Sequence, residues 1–121
     1  MTTMTNATPT ADDYAFAQAE FYTCRRTLAD YATRLSEAGR LLREQTDRVQ
    51  VAGIGLMPPT PCSLAIDGPV LPTATGIQQA LERYRGAYDR LRRTWDDLAP
   101  DERSGLQPPP SDLPTLRPAE G

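Results

Sequence analysis

Few residues of this chain have the chemistry of a catalytic or metal-binding site. The 121 residues include no His, which is the commonest general base and the commonest metal ligand in proteins. The two Cys, Cys24 and Cys62, are too few for a disulfide framework or a thiolate metal site. If the first helix is continuous, Cys62 cannot reach Cys24, so we expect no bond between them within the chain.

Carboxylates come in two adjacent pairs, Asp12 with Asp13 and Asp96 with Asp97. Neighbouring residues on a helix point about 100° apart, so the members of such a pair do not face one site. We interpret the first pair as charge at a helix start and the second as a solvated helix end. The sequence therefore predicts no catalytic residue, no metal site and no cofactor, and we expect the protein not to be an enzyme.

Two short stretches in the middle of the chain match the opening of binding motifs but lack their context. Gly53-Ile54-Gly55 has the spacing that begins a dinucleotide fingerprint, yet the third Gly is absent and Pro58-Pro59 follows where a helix should begin. The run from Pro58 to Pro61 has the PxxP spacing, which short proline-rich loops reach by chance. We interpret both stretches as parts of a loop.

The second half of the chain carries a cluster of arginines: Arg83, Arg85, Arg90, Arg92 and Arg93. Asp and Glu interleave with them, and the formal net charge of −3 gives no electrostatic reason to expect nucleic acid or anionic lipid. We interpret the cluster as a solvated helix face. A nucleic-acid-associated regulator that uses Arg90, Arg92 and Arg93 is the alternative.

Hydrophobic periodicity predicts a long first helix over residues 10–52. One apolar series recurs every seven residues and consists of Tyr14, Phe21, Leu28, Leu35, Leu42 and Val49. The series at the neighbouring seam position is mostly small: Ala17, Cys24, Tyr31, Ala38, Gln45 and Ala52. This heptad repeat is typical of a helix that packs closely on another helix. Thr10 is the expected N-cap, because Asp12 and Asp13 follow in the first turn.

A connector over residues 53–72 and a second helix over residues 73–99 follow. The connector is rich in Pro and Gly yet apolar, so we expect it to pack irregularly on the helix ends, with a short hairpin around Asp67-Gly68 as one option. The second helix repeats the seam through Ile77, Leu81, Tyr84, Tyr88, Leu91, Trp95 and Leu98. Thr75, or alternatively Thr73, caps its start, and Ala99-Pro100 ends it.

Two heptad runs joined by a connector predict an all-α fold, a long antiparallel helical hairpin that resembles a coiled coil. If both helices start at the connector, Leu91 lies near Leu35 and the first helix overhangs the second by roughly 20 Å. The overhang is the segment over residues 14–22, which is apolar around much of its circumference. We therefore predict partner-binding residues there, namely Tyr14, Phe16, Phe21 and Tyr22. The alternative is that the protein's own tail covers this end through Leu106, Leu113 and Leu116.

Outside the two helices, we expect a disordered leader over residues 1–9 and a Pro-rich tail over residues 100–121. No apolar run approaches the ~18 residues needed to span a membrane. The N-terminus also lacks the basic and apolar regions of a secretory signal. A cytoplasmic location is therefore the default expectation.

These features predict a class of function, a non-enzymatic interaction or assembly protein such as an adaptor, a small chaperone or a structural subunit. A pair of helices this short has a thin core, so we expect a protein partner or a homo-oligomer, with dimerisation into four helices as one route. A ligand-binding or enzymatic helical bundle is a further alternative. It would need polar residues in the seam, where Gln45 is the one candidate.

Overall fold

The computed structural model describes residues 8–53 and 64–116, and most of that part of the chain is helical. In chain order the elements are α1 (Ala11–Glu44), β1 (Val49–Ala52), β2 (Leu64–Asp67), a 3₁₀ turn (Gly68–Val70), α2 (Ala74–Asp97) and α3 (Pro100–Arg103). The expected helical class is confirmed at this level, with a short pair of strands in addition. None of the helices in these two ranges has the length and apolar character needed to cross a membrane.

The start of α1 is the one that the sequence predicts. The side chain of Thr10 accepts a hydrogen bond from the backbone N–H of Asp13 at 3.3 Å, and the Asp13 carboxylate accepts one from the Thr10 N–H at 2.8 Å. This reciprocal capping box satisfies two of the amides that a helix start leaves without an intrahelical acceptor. A further amide, that of Ala11, donates to Glu102 of α3 at 2.7 Å. The beginning of α1 is therefore also tied to the C-terminal part of the chain.

The end of α1 differs from the prediction, because the helix stops at Glu44 and residues 49–52 form β1. The segment Val49-Gln50-Val51 alternates apolar and polar residues, and Val favours extended over helical backbone. The same residues also fit the end of the heptad series, so the heptad pattern alone assigned them to the wrong element. A hydrogen-bonded turn at residues 45–49 separates the helix from the strand.

The two strands pair in parallel, with Val49 opposite Leu64 and Val51 opposite Ile66. The hairpin around Asp67-Gly68, one option for the connector, does not form. The chain enters a 3₁₀ turn with Pro69 near its start, and proline has no amide to donate to a strand ladder. Residues 54–63, which contain most of the Gly53-Ile54-Gly55 stretch, the PxxP stretch and Cys62, lie outside the described residues.

The two long helices contact each other through aromatic rings. Tyr14 packs on Trp95 with ring centroids 5.2 Å apart, and Phe21 packs on Tyr84 at 5.2 Å and on Tyr88 at 5.9 Å. Residues early in α1 thus meet residues late in α2, so the helices run in opposite directions. The expected antiparallel arrangement agrees with these contacts, whereas its description as a coiled-coil hairpin stays a prediction.

The register of the two helices differs from the predicted one. Tyr14 lies against the last turns of α2, so the overhang expected at residues 14–22 is wrong. The reason is that β2 and the 3₁₀ turn fold back along α1 instead of remaining beyond its end. A guanidinium N–H of Arg34 donates to the carbonyl of Val70 at 3.1 Å, which holds the chain beside the middle of α1 just before α2 begins. The part of α1 that extends past α2 is therefore its C-terminal third.

The buried core follows from this register. It joins the first half of α1 to α2 and to Leu98, which directly follows α2. Its members are Tyr14, Ala17, Phe21, Leu28, Ala80, Tyr84, Ala87, Tyr88, Leu91 and Leu98. Leu35 and Leu42 belong to the same heptad series as Tyr14 but remain 44% and 53% exposed. The seam is therefore buried in the N-terminal half of α1, where the sequence predicted an overhang. It is exposed to solvent in the C-terminal half, where the sequence predicted contact with α2.

The Pro-rich segment after α3 packs back on the helices. Leu106 and Leu116 lie against the core cluster, whereas Leu113 is exposed. The tail therefore packs on the core through Leu106 and Leu116, in agreement with the alternative in which the protein's own tail covers part of this surface, whereas Leu113 does not take part. Within residues 104–116 the tail forms neither helix nor strand.

Candidate interaction surfaces

Three tyrosines from both long helices hold the tail through their hydroxyl groups. The hydroxyl of Tyr14 donates to the backbone carbonyl of Gln107 at 2.7 Å. Those of Tyr88 and Tyr84 donate to the carbonyls of Pro110 at 2.6 Å and Pro114 at 2.8 Å. We call Tyr14, Tyr84 and Tyr88 the tyrosine groove. The rings of these tyrosines belong to the core, so their polar tips are placed with the precision of the core packing.

The tail has a backbone suited to this groove. Proline fixes φ near −65°, and each residue that precedes a proline is steered towards extended backbone, so the run Pro108-Pro109-Pro110 favours the polyproline II conformation. That helix has three residues per turn, so the carbonyls of Gln107 and Pro110 lie one turn apart. Two hydroxyls at the matching separation can bind both carbonyls.

The direction of the tail is set by the turn that precedes it. The guanidinium of Arg103 donates to the carbonyls of Trp95 at 3.2 Å and Asp96 at 3.1 Å, and it lies 5.3 Å from the centre of the Trp95 ring. The Trp95 carbonyl also accepts a bond from the N–H of Leu98, so Arg103 adds a second donor there and a donor for Asp96 at the end of α2. Gly105 then adopts a φ of +81°, a left-handed conformation that side chains disfavour. The chain thereby reverses and enters the tyrosine groove.

Burial raises the pKa of two of the three groove hydroxyls. For Tyr14 the main cause is desolvation, with a smaller contribution from the nearby Tyr22. For Tyr84 desolvation again raises the pKa, and it outweighs the opposing effect of Arg25. A phenol donates its hydrogen bond to a carbonyl only while it is protonated. The tail contact at these two tyrosines therefore depends on the neutral forms.

This dependence predicts an alkaline loss of stability. Because the folded-state pKa of Tyr14 and of Tyr84 lies above the ordinary value of 10.0 for a tyrosine, the folded protein binds more protons than the unfolded chain at high pH. The stabilisation is complete below pH 10.0 and is lost as the pH rises through the raised values. We expect urea midpoints to fall as the pH rises above about 10, while tyrosinate absorbance reports the titration.

A Tyr14→Phe, Tyr84→Phe double variant is the control for this prediction. Its urea midpoint should fall less with pH than that of the wild type, because the two shifted groups are gone. Equal falls in both proteins would contradict a link between these hydroxyls and alkaline stability.

The four residues predicted to bind a partner separate into two kinds. Tyr14 and Phe21 are buried within this chain and offer no surface to a partner in this conformation. Phe16 and Tyr22 are 75% and 51% exposed. They are six positions apart on α1 and so point in different directions around the helix. A partner-binding role for Phe16 and Tyr22 stays a prediction.

The arginines of α2 that could have contacted nucleic acid bind groups of this chain. Arg90 forms a salt bridge with Glu20 of α1 at 2.9 Å. Arg92 donates to the hydroxyl of Tyr88 at 3.0 Å and to the carbonyl of Ser111 at 2.8 Å, so it also holds the tail. The guanidinium of Arg93 donates to the carbonyl of Asp89 within α2. These contacts neither support nor contradict the alternative in which the protein is a nucleic-acid-associated regulator, which stays a prediction.

An apolar surface is exposed at the other end of the molecule. Leu35 and Leu42 continue the α1 seam beyond α2, and the strand pair and the 3₁₀ turn add exposed Val51, Leu64 and Val70. We call these five residues the distal surface. A cavity of about 300 Å³ lies between α1 and the strand region, and its apolar lining includes Ala38, Leu41, Ala65, Ile66, Val70 and Leu71. Neither the exposed half of the seam nor this cavity was predicted, because both depend on the register of the helices.

The described residues offer no cluster of three or more His, Cys, Asp or Glu side chains for a metal ion. Cys24 is a free thiol packed against the core, and its pKa is raised, mainly by burial and further by Glu20. A raised pKa lowers the thiolate fraction, and the thiolate is the nucleophilic form. This agrees with the interpretation of Cys24 as a small packing residue, whereas its relation to Cys62 stays a prediction.

Neither the models of known protein families, nor curated proteins, nor solved structures include a match to this chain.

Proposed function

We propose that this protein is a non-enzymatic interaction or assembly protein built on an antiparallel helical hairpin, and that it binds a protein partner or a second copy of itself through the distal surface. The observation that carries the proposal is the exposure of Leu35 and Leu42 on a seam whose first members, Tyr14, Phe21 and Leu28, are buried. A regular heptad seam is a surface suited to another helix, and α2 covers only its first half.

The strand pair lies at the same end of the molecule and gives a second reason to expect partner binding there. A sheet of two strands is marginal by itself, and each strand here has one edge without a strand beside it among the described residues. Open edges bind further strands through backbone hydrogen bonds. Exposed Val51 and Leu64 lie on β1 and β2, so such pairing would also bury apolar side chains. Helix packing and strand addition are thus both available to a partner.

The proposal predicts that Leu42→Arg releases the assembly. Leu42 lies in the last turns of α1, where a cation is compatible with the helix dipole, so the substitution places charge on the surface without opposing the helix. We expect the wild type, purified under native conditions, to have a mass above that of a single chain by light scattering. The variant should have the mass of one chain with an unchanged helical circular dichroism spectrum.

Leu113→Arg is the matched control, because Leu113 is also an exposed leucine but lies in the tail. It should leave the measured mass unchanged. A wild type that is a monodisperse single chain with no bound partner, or a Leu42→Arg variant that retains the full assembly, would show that the distal surface does not carry the function.

A further inference from the structure

The bonds in the tyrosine groove recognise the backbone of the tail and not its sequence. All three hydroxyls donate to main-chain carbonyls, those of Gln107, Pro110 and Pro114. Arg92 adds a fourth bond of the same kind, to the carbonyl of Ser111. The side chains of Pro108, Pro110, Asp112 and Thr115 are exposed. A different segment with the same backbone path would therefore satisfy the same donors.

The groove also defines which chemistry that segment must have. Its contacts to the tail come from donors, so the segment must present carbonyls, and prolines do this without presenting amides that need acceptors. Pro109 and Pro114 are half-buried, and the carbonyls that Tyr88 and Tyr84 bind are those of Pro110 and Pro114. Leu106 and Leu116 pack on the core at the two ends of the segment. Aromatic grooves that bind extended proline-rich peptides use this combination of hydroxyl donors, aromatic walls and preformed ligand backbone.

We propose that the tyrosine groove is a binding site for a proline-rich segment of a partner protein, and that residues 106–116 occupy it within the chain until such a segment displaces them. The partner segment has prolines spaced to place carbonyls opposite Tyr14, Tyr88 and Tyr84, and an apolar residue at each end. This proposal does not depend on the distal surface, which lies on the C-terminal third of α1, the strand pair and the 3₁₀ turn.

Displacement is physically accessible because the tail has fewer buried apolar contacts than the two long helices have with each other. Its contacts are the carbonyl bonds and two half-buried leucines, whereas the helices share a core of aromatic rings. Segments with few buried apolar contacts open at lower free energy than the whole domain. The tail competes with a partner segment for the groove because it is attached to the same chain. Such a short tether gives an effective concentration on the order of millimolar.

The experiment measures binding of a fluorescent peptide with the sequence of residues 104–116 to full-length protein by anisotropy. Three full-length proteins are compared: wild type, Gly105→Ala and Gly86→Ala. Gly105 has a φ of +81°, so alanine there strains the turn that directs the tail, without changing any residue of the groove. Gly86 lies in α2, where an added Cβ meets no atom within 4 Å, so it is the matched glycine control.

We expect the peptide to bind the Gly105→Ala protein roughly tenfold more tightly than the wild type, because a left-handed alanine disfavours the internal tail by about that factor. Gly86→Ala should bind like the wild type. If Gly105→Ala lacks the helical circular dichroism of the wild type, Leu116→Ala replaces it, since it removes one tail anchor outside the helices.

Two further measurements test whether binding occurs in the groove. Adding Tyr88→Phe to the Gly105→Ala protein should weaken peptide binding about fivefold, the effect of one neutral hydrogen bond. A peptide in which alanine replaces Pro108, Pro109 and Pro110 should bind more weakly than the original, because its backbone is no longer preformed.

Three outcomes would overturn the proposal. The first is no saturable binding to a folded Gly105→Ala protein. The second is binding that Tyr88→Phe leaves unchanged. The third is a concentration-dependent dimer of the wild type that disappears on Tyr88→Phe, because it would identify the occupant as the tail of a second copy and not a partner protein.

Discussion

Replacing Phe21 by alanine is expected to lower the free energy of unfolding by about 3–5 kcal/mol, the usual range for removing a buried phenylalanine. Phe21 is 1% exposed and its ring contacts both Tyr84 and Tyr88, so its removal leaves a cavity between the two long helices. Small domains are stabilised by only about 5–15 kcal/mol, so this single change should remove a large fraction of the total. Urea unfolding followed by helical circular dichroism measures the difference.

Phe16→Ala is the matched control for this prediction. Phe16 lies on the same helix and has the same side chain but is 75% exposed, so its removal should change the free energy of unfolding by less than about 0.5 kcal/mol. If Phe16→Ala destabilised the chain as much as Phe21→Ala, Phe16 would be buried in solution. That result would contradict the exposure of Phe16 in the single chain and would favour an interface with another chain at the start of α1.

Replacing all three groove tyrosines by phenylalanine is expected to cost about 3 kcal/mol, from three neutral hydrogen bonds of about 1 kcal/mol each. The rings and their packing are retained, so the helices should remain folded. The tail should become accessible, because its carbonyls exchange the hydroxyl donors for water. Limited proteolysis with an enzyme that cleaves within or beside residues 104–116 reports this release directly, and urea unfolding reports the free energy.

Tyr22→Phe is the control here, because Tyr22 is exposed and lies outside the groove. It should leave both proteolysis of the tail and the urea midpoint unchanged. Wild-type proteolysis rates in the triple variant would mean that the hydroxyl bonds do not hold the tail, and the leucine contacts would then have to account for its position.

These two predictions concern different layers of the same structure. Phe21 belongs to the core that joins α1 to α2, whereas the hydroxyls of Tyr14, Tyr84 and Tyr88 join that core to the tail. The tail is thus part of the folded domain and not an appendage. The same aromatic residues stabilise the helices with their rings and bind a proline-rich segment with their hydroxyls.

Local sequence features determined where α1 begins and where α2 begins and ends. The capping residue Thr10 and the first-turn acids predict the start of α1, and the structure has the expected capping box. At α2 the alternative cap, Thr73, is the one that accepts a bond from the amide of Gly76, at 2.9 Å. Ala99-Pro100 ends α2 as predicted, because the residue before proline is steered away from helical backbone. Each of these signals acts over four or five residues, which is why it can be read without the fold.

The tertiary structure alone decided how the elements are combined. A heptad seam looks the same after a shift by seven residues, so the spacing of Phe21, Leu28 and Leu35 cannot specify which of them meets Tyr84. The register was decided by β2 and the 3₁₀ turn, which fold back along α1 where Arg34 binds the carbonyl of Val70. The path of the tail was decided by hydroxyl groups that meet backbone carbonyls more than twenty residues away in sequence, and hydrophobic periodicity contains no information about such bonds.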